Sequence, residues 1–409
     1  MPEQRDTNGT PPPVVPRDGT PPPVARGGAL PVVSGSAVGI IANPMSGRDI
    51  RRLVARASVF PNAEKTNMAL RLIAAAGALG VERVCMSTDA MGVAAGVLRA
   101  AGKRRARDGR WPELEFCELA RPTADARDTR EMVRRMRERG VGVLVLLGGD
   151  GTVRAASTDC ADVPLLPLST GTNNAFPEMW EATVAGAAAA LVATWRVSPD
   201  EATYRAKALR VRTGGRTEVA LVDVCLSTVA HVGARALWDV GTLRELYCAF
   251  AEPHAIGLSS IAGLVAPTGR TEPHGVRLRL AGSETGPATG PATRPGTGPE
   301  TGTTAARRRV LAPVAPGVLA PVDLLEVAPL RAGEPVTSAM ARGTVAVDGE
   351  RELEFGPSSP VEVTLTPHGP VVLDVRGVLA RAAERGLLLS TPDGPGAQHQ
   401  QEPTYQEVR

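Results

Sequence analysis

Apolar and polar positions alternate along the first half of the chain in a way that predicts strands followed by helices. Apolar runs such as "AVGIIAN" and Val141–Leu147 are typical of buried strands, whereas Ala63–Leu79 has the spacing of an amphipathic helix. A further helix is expected after Thr123, its predicted N-cap, with Gly140 as its stop. Strands that alternate with helices form a parallel sheet covered on both faces. Residues 37–200 are therefore predicted to form a doubly wound α/β domain.

The pattern changes near residue 203, where strands follow one another. A hairpin is predicted with Gly214 and Gly215 at its turn, and a helical interval is expected over residues 232–265. Residues 201–370 are therefore predicted to be a second, β-rich antiparallel domain. The amphipathic segment 371–389 is expected to be a helix that returns to the first domain.

Three biased segments interrupt this organisation. Residues 1–36 contain a Pro/Gly-rich near-repeat, residues 282–309 are rich in Gly, Thr and Pro, and residues 390–409 are polar. Such compositions cannot bury enough apolar surface to fold. We expect a disordered arm, a flexible surface insertion within the β-rich domain and a disordered tail.

Composition excludes several classes of function. A net charge of +3 on 409 residues leaves no basic face for nucleic acid. The five cysteines are scattered among apolar neighbours, which favours buried thiols over disulfides, and neither they nor the five histidines have the spacing of a structural zinc site. Without an apolar run of about 18 residues or a leader sequence, no membrane span is predicted and a cytoplasmic protein is expected.

Candidate chemistry begins where the strand at Val141–Leu147 ends. Glycines there let backbone amides approach a phosphate, and the following helix N-terminus favours negative charge. Asp150 is unfavourable in such a turn unless it meets a cation or a reacting hydroxyl. The alternative is a tight turn with a capping aspartate. The motif comprises Gly148, Gly149, Asp150, Gly151 and Thr152.

Three other segments carry polar groups at predicted strand ends or turns. "PLSTGTNNAFP" supplies Ser169, Thr170, Thr172, Asn173 and Asn174, a lining suited to ribose or phosphate, with a helix-capping turn as the alternative. "ANPMSG" supplies Asn43, Ser46 and Gly47, which are a weak signal alone. "VDGE" supplies Asp348 and Glu350, for which a hairpin turn is the default explanation.

The ordered combination of "NPMSG", "LLGGDGT" and "GTNNAFP" resembles the superfamily that joins NAD kinases with diacylglycerol and sphingosine kinases. The resemblance covers most of residues 37–385 and is closest to the NAD kinase-like group that includes the acetoin-catabolism X proteins. It implies a nucleotide-binding α/β domain, a β-rich domain and an active site in the cleft between them. It also implies ATP with Mg²⁺ carried by the nucleotide, no dedicated protein metal site, and self-association into an oligomer.

The resemblance also implies roles for individual residues. Asp150 would orient or deprotonate the acceptor hydroxyl. Asn43, Ser46 and Gly47 would lie near the nucleotide, and Thr172, Asn173 and Asn174 near ribose or phosphate. The other motif residues that would line the phosphate site are Gly148, Gly149, Gly151 and Thr152.

The chain departs from both branches of the superfamily in its second domain. NAD kinases hold the dinucleotide with an Asn-Glu pair, and here Val222 and Asp223 stand in the nearest local match. The lipid-kinase branch uses a late Asp-Gly-Glu, which adds weight to Asp348 and Glu350.

Three hypotheses follow. The leading one is ATP-dependent phosphorylation of the adenosine ribose 2′-hydroxyl of NAD(H). The second is transfer to a lipid or small polyol hydroxyl, which predicts an apolar channel in the β-rich domain. The third is nucleotide sensing without catalysis.

Overall fold

A computed structural model describes residues 29–47, 60–104, 110–231, 239–282 and 308–389. Most of the predicted arm, most of the predicted insertion and the predicted tail lie outside these residues. The predicted end of the arm at residue 36 is wrong, because the first strand begins at Val33. Gly35 has a φ of +78°, and the Ser36 hydroxyl donates to the Val33 carbonyl at 2.6 Å. The pairing of this strand with the next shifts its register between Val33 and Ala37 and then continues.

The N-terminal domain alternates strands and helices as predicted. The strands are β1 (Val33–Ala42), β2 (Val81–Ser87), β3 (Glu113–Cys117), β4 (Val143–Gly148), β5 (Leu165–Ser169) and β6 (Thr203–Arg205). The helices are α1 (Asn62–Ala78), α2 (Val93–Arg104), α3 (Ala126–Glu138), α4 (Asp150–Ser157), α5 (Ala182–Ala193) and α6 (Pro199–Ala202). All six residues of β4 are buried, as expected of a strand covered on both faces.

The predicted N-cap of α3 is wrong by two residues. Asp125 is the N-cap, and its carboxylate accepts the amide of Arg127 at 2.8 Å. The Thr123 hydroxyl instead donates to Asp125 and Asp128. Both residue types favour this position, so the sequence pattern alone did not choose between them.

The second domain consists of antiparallel strands. These are β7 (Ala208–Thr213), β8 (Arg216–Ala220), β9 (Asp223–Ser227), β10 (Leu243–Cys248), β11 (His274–Leu280), β12 (Arg308–Ala315), β13 (Val318–Arg331), β14 (Pro335–Thr337), β15 (Gly343–Val347), β16 (Glu350–Phe355) and β17 (Glu362–Thr366), with helix α7 (Ser259–Gly263). One sheet has the order β12-β13-β11-β10-β9-β15-β16 and the other β14-β17-β7-β8. The predicted hairpin turn at Gly214 and Gly215 is confirmed.

The predicted helical interval over residues 232–265 is wrong. It contains β10, which lies between β9 and β11 and is buried at every position except the half-buried Arg244. A central strand covered on both faces lacks the two-residue alternation that identifies a half-exposed strand. Among the described residues of the interval, only Ser259–Gly263 form an α-helix.

The chain then returns to the first domain through β18 (Val371–Leu373) and α8 (Val375–Glu384). The predicted bounds of the returning helix, 371–389, are therefore wrong, because its first three residues form a strand of the first sheet. The first sheet has the order β3-β2-β1-β4-β5-β18-β6 and is parallel throughout, except that β6 runs antiparallel to β18. The predicted fold class is therefore confirmed. Because β6 lies beyond residue 200 and pairs in this sheet, the predicted domain boundary at that residue is wrong. The strand order reverses between β1 and β4, and such switch points are where ligands bind outside the carboxyl ends of the strands.

A shared hydrophobic core joins the two domains. Leu146 and Phe176 of the first domain belong to the same buried cluster as Val222 and Phe250 of the second. The rings of Phe176 and Phe250 meet edge to face with their centroids 6.0 Å apart. This packing fixes the side of the cleft next to the carboxyl ends of the strands.

No helix among the described residues is long and apolar enough to cross a membrane.

Two helical glycines give a matched test of the packing. A Cβ on Gly77 in α1 would lie 2.3 Å from the carbonyl oxygen of Arg110, whereas a Cβ on Gly102 in α2 meets nothing within 4 Å. We expect Gly102→Ala to raise the free energy of unfolding by up to about 1 kcal/mol, and Gly77→Ala to lower it by about 1–3 kcal/mol. Urea denaturation followed by circular dichroism measures both. An equal gain in the two variants would contradict the close approach at Gly77.

Candidate functional site

The glycine turn after β4 is built by close contacts within the protein. A Cβ on Gly148 would lie 2.5 Å from the side chain of Thr152, and one on Gly149 would lie 2.6 Å from Oδ1 of Asn174. Larger residues therefore cannot occupy either position without displacing these side chains. Gly151 differs, because its nearest neighbour is Oε1 of Glu350 at 3.8 Å. The turn thus packs against its own domain on one side and faces the second domain on the other.

The loop after β1 meets this turn at the switch point. Asn43 donates from Nδ2 to the Thr152 hydroxyl at 2.9 Å, and the hydroxyls of Ser46 and Thr170 are 2.7 Å apart. Gly47 has a φ of +74°, and a Cβ there would lie 2.6 Å from the Thr170 carbonyl oxygen. The structure therefore brings together three segments that are far apart in sequence.

A buried lysine that sequence reasoning missed holds the same loop. Lys65 on α1 is fully buried, and its ammonium group donates to the carbonyls of Asn43 and Ser46 at 2.9 and 2.7 Å. It also donates to the Pro44 carbonyl and to Oδ1 of Asn62, both at 3.2 Å. A single charged group thus fixes the backbone of residues 43–46. The sequence signal was a lysine on the apolar face of a predicted helix.

Asp150 does not cap its own helix. The N-cap of α4 is Gly149, and the Asp150 carboxylate accepts hydrogen bonds from the neighbouring loop instead. The amide of Phe176 donates at 2.8 Å and that of Ala175 at 3.1 Å. The capping alternative is therefore wrong. The carboxylate is held in one orientation at the carboxyl edge of the sheet.

The predicted Asp-Gly-Glu segment lies opposite. Asp348 and Gly349 form the hairpin turn between β15 and β16 with φ values of +49° and +77°, as the default explanation predicts. Yet the Asp348 side chain is only 1% exposed and accepts the amides of Leu221 and Val222 at 3.1 and 2.8 Å. Burial raises the pKa of Asp348 to about 6, against the opposing charge of Arg154 and with a further raising contribution from Asp150. The hairpin turn thus supplies a carboxylate to the cleft.

Arg154 connects α4 to this hairpin. Its guanidinium lies 3.0 Å from Glu352, 3.7 Å from Asp348 and 3.9 Å from Glu350. The half-exposed Glu350 and the buried Asp348 therefore approach the same helix that begins with Asp150. Asp223, also buried, lines the cleft with Asp150 and Asp348.

The residues of the "GTNN" segment differ in their position relative to the cleft. Thr172 is exposed, and Asn174 supports its own loop by donating to the Ser169 hydroxyl at 2.8 Å. Asn173 lines the cleft, and its buried Oδ1 has no hydrogen-bond partner. A role near ribose or phosphate stays a prediction for all three.

Arg270, which sequence reasoning also missed, links the second domain to Asp150. Its guanidinium donates to the carbonyls of Ala175 and Phe176 at 3.0 and 2.8 Å, and pairs with Glu252 at 3.0 Å. It also lies over the ring of Phe250, 4.6 Å from the centroid. The same two residues thus bind Arg270 through their carbonyls and Asp150 through their amides. No sequence motif identified Arg270, because the two carbonyls that it binds lie about 95 positions away and belong to the backbone, which every residue type supplies.

Comparisons with known proteins match both halves of the chain. Residues 38–195 match the ATP-NAD kinase N-terminal domain, and residues 207–368 match the acetoin catabolism protein X C-terminal domain. Acetoin catabolism protein X of Cupriavidus necator is 41% identical over 360 residues, which cover 87% of this chain and 94% of that protein. A solved NAD kinase from Archaeoglobus fulgidus in complex with ATP matches at 14% identity and a TM-score of 0.29, covering 75% of this chain and 100% of that one. The resemblance seen in the sequence motifs is confirmed.

Lys65 can be tested by removing its charge. Lys65→Met leaves several carbonyls of the 43–46 loop without their donor, so we expect the free energy of unfolding to fall by about 1–3 kcal/mol. Amide hydrogen exchange in the loop should also accelerate. Asn62→Ala removes only the bond at 3.2 Å and is expected to cost under about 1 kcal/mol. Unchanged exchange in Lys65→Met would show that the loop does not depend on the ammonium group.

Proposed function

This chain belongs to the acetoin catabolism protein X family within the NAD kinase-like superfamily, and we propose that it transfers the γ-phosphoryl group of ATP to an alcohol. The leading acceptor is the adenosine ribose 2′-hydroxyl of NAD(H), which would give NADP(H). The observation that carries the proposal is the placement of Asp150. Its carboxylate lies at the topological switch point, oriented by two amides, and opens a helix whose own cap is a glycine.

Phosphoryl transfer needs little covalent chemistry from a protein. Positioning and neutralisation of the developing charge supply most of the rate enhancement. The amides that begin α4 are suited to the phosphates of ATP. The oxygen of the acceptor hydroxyl bonds to the γ-phosphorus while Asp150 accepts the proton of that hydroxyl. The bond from the γ-phosphorus to the leaving oxygen breaks and releases ADP.

The donor set of the cleft fits Mg²⁺ that arrives with ATP. Mg²⁺ is usually held by one or two carboxylates together with substrate phosphates, and Asp150 and Asp223 offer such oxygens. Among the described residues, no group of three or more His, Cys, Asp or Glu side chains is arranged to hold a metal ion. When bound, the ion would neutralise charge on the phosphates.

The other two hypotheses are less well supported by the same cleft. A lipid acceptor favours an apolar channel, whereas the carboxylates of Asp150, Asp223 and Asp348 line the cleft alongside its apolar side chains. A sensor without catalysis has no use for a carboxylate that two amides hold toward the cleft. A small uncharged alcohol remains compatible with the geometry.

Asp150→Asn tests the proposed base. The amide keeps the size of the side chain and can still accept one hydrogen bond, but it cannot take the proton. We expect turnover to fall by about 10²–10⁴-fold, with ATP binding by calorimetry largely unchanged. Asp162→Asn is the control, because that carboxylate is 84% exposed and should leave turnover unaltered. Turnover close to that of the unmodified protein in Asp150→Asn contradicts the assignment.

Arg270→Lys tests the positioning of that base. A lysine cannot reproduce the fork that holds two carbonyls and Glu252, so the amides that orient Asp150 should shift. We expect kcat to fall by about 10–100-fold, with the KM for ATP changed much less, since a displacement of about 1 Å costs roughly that much. Arg309→Lys, in an exposed pair with Asp323, is the matched control. Equal losses in kcat and in ATP affinity would indicate a structural role alone.

A further inference from the structure

Two buried polar atoms in the cleft beside Asp150 have no hydrogen-bond partner. They are Oγ of Ser259 on α7 and Oδ1 of Asn173, and both residues line the cleft. Ser259 is only 1% exposed. Native proteins seldom keep buried polar atoms unsatisfied, so such atoms at a cleft mark a place where a ligand completes the bonding.

The neighbouring serine shows what a structural role looks like in the same helix. Ser260 is fully buried, and its hydroxyl donates to the Gly257 carbonyl at 2.6 Å. It also lies 3.3 Å from the Pro313 carbonyl oxygen. Local folding thus uses the hydroxyl of Ser260, whereas that of Ser259, a residue that lines the cleft, has no partner within the protein.

The charge around these two atoms restricts the ligand. Asp150, Asp223 and Asp348 share the cleft with them, and none of the described lining residues is basic. A phosphate or carboxylate that brings no cation would meet this negative field unfavourably. Hydroxyl groups suit it, because they donate to carboxylate and amide oxygens and accept from a serine.

Apolar groups restrict the ligand further. Val222, Ile256, Leu258 and Val314 also line the cleft and suit one face of a ring. The carboxylate, amide and hydroxyl oxygens of the remaining lining suit the polar side of the same ring.

We infer that Ser259 and Asn173 bind the vicinal hydroxyls of an uncharged acceptor ring, such as a ribose, and present one hydroxyl to Asp150. The amide oxygen of Asn173 accepts from one hydroxyl, and the Ser259 hydroxyl bonds the other. The inference rests on the proposed function for the reaction that follows, but the binding step can be tested without it.

Binding of neutral probes measures the step directly. Calorimetry compares adenosine, 2′,3′-dideoxyadenosine and D-ribose in the absence of ATP. We expect adenosine to bind at least about tenfold more tightly than its dideoxy analogue, since removing the hydroxyls leaves the site's polar atoms unpaired. D-ribose that binds as tightly as adenosine would identify a free polyol as the source of the hydroxyls. Equal binding of the two nucleosides, or no binding of adenosine, overturns the inference.

Ser259→Ala and Ser260→Ala form a matched pair. We expect Ser259→Ala to erase the preference for adenosine over the dideoxy analogue without lowering the unfolding temperature, because no bond within the protein is lost. Ser260→Ala should do the reverse, with a lower unfolding temperature and an unchanged preference. Asn173→Ala provides a second test of the site and should also reduce the preference. A preference that survives both Ser259→Ala and Asn173→Ala contradicts the inference.

These outcomes separate the binding site from the reaction. Hydroxyl-dependent binding without ADP release in the presence of Mg²⁺-ATP would keep the subsite and reject the kinase. ADP release and a phosphorylated acceptor, with kinetics unchanged in Ser259→Ala, would keep the kinase and reject the subsite.

Discussion

The structure of the candidate site depends on the hydrogen bonds from the amides of Ala175 and Phe176 to Asp150. The carbonyls of the same two residues accept from Arg270, which the second domain supplies. The position of one carboxylate in the first domain is thereby coupled to the docking of the second domain. Burial of Phe176 against Phe250 fixes that docking at the same point.

Negative side chains outnumber positive ones among the described residues that line the cleft. Arg154 and Arg270 are largely buried and pair with carboxylates and carbonyls, while Asp150, Asp223 and Asp348 line the cavity itself. Such a site favours hydroxyl donors and a cation that arrives with its ligand. It disfavours an acceptor whose reacting group is already an anion.

Much of the fold could be predicted from the sequence, because alternating strands and helices leave a strong periodic signal. The ends of β1 at Ala42 and of β4 at Gly148 follow from apolar runs that stop at polar or glycine residues. Strand β10 could not be recognised, since burial on both faces removes the alternation on which the prediction depends. The N-cap of α3 was misplaced because Thr123 and Asp125 are both good caps.

The site was only partly accessible to the same reasoning. Asp150 and the glycines are visible because their types are unusual in those positions, whereas Asp348 gained weight only through the resemblance to the lipid-kinase branch. Lys65 and Arg270 were missed, since they act through backbone carbonyls that any sequence possesses. Ser259 and Ser260 are adjacent and of one type, and only the three-dimensional contacts distinguish the bonded hydroxyl from the unbonded one.

The central claim is that the chain transfers phosphate to an alcohol. The most direct test is to mix purified protein with Mg²⁺-ATP and, in separate tubes, NAD, NADH, a small polyol, diacylglycerol and sphingosine, and to identify the products by mass while ADP is followed. The account predicts stoichiometric ADP and a phosphorylated acceptor, with NADP or NADPH as the leading product. Saturable ATP binding with no phosphorylated product in any tube would contradict it.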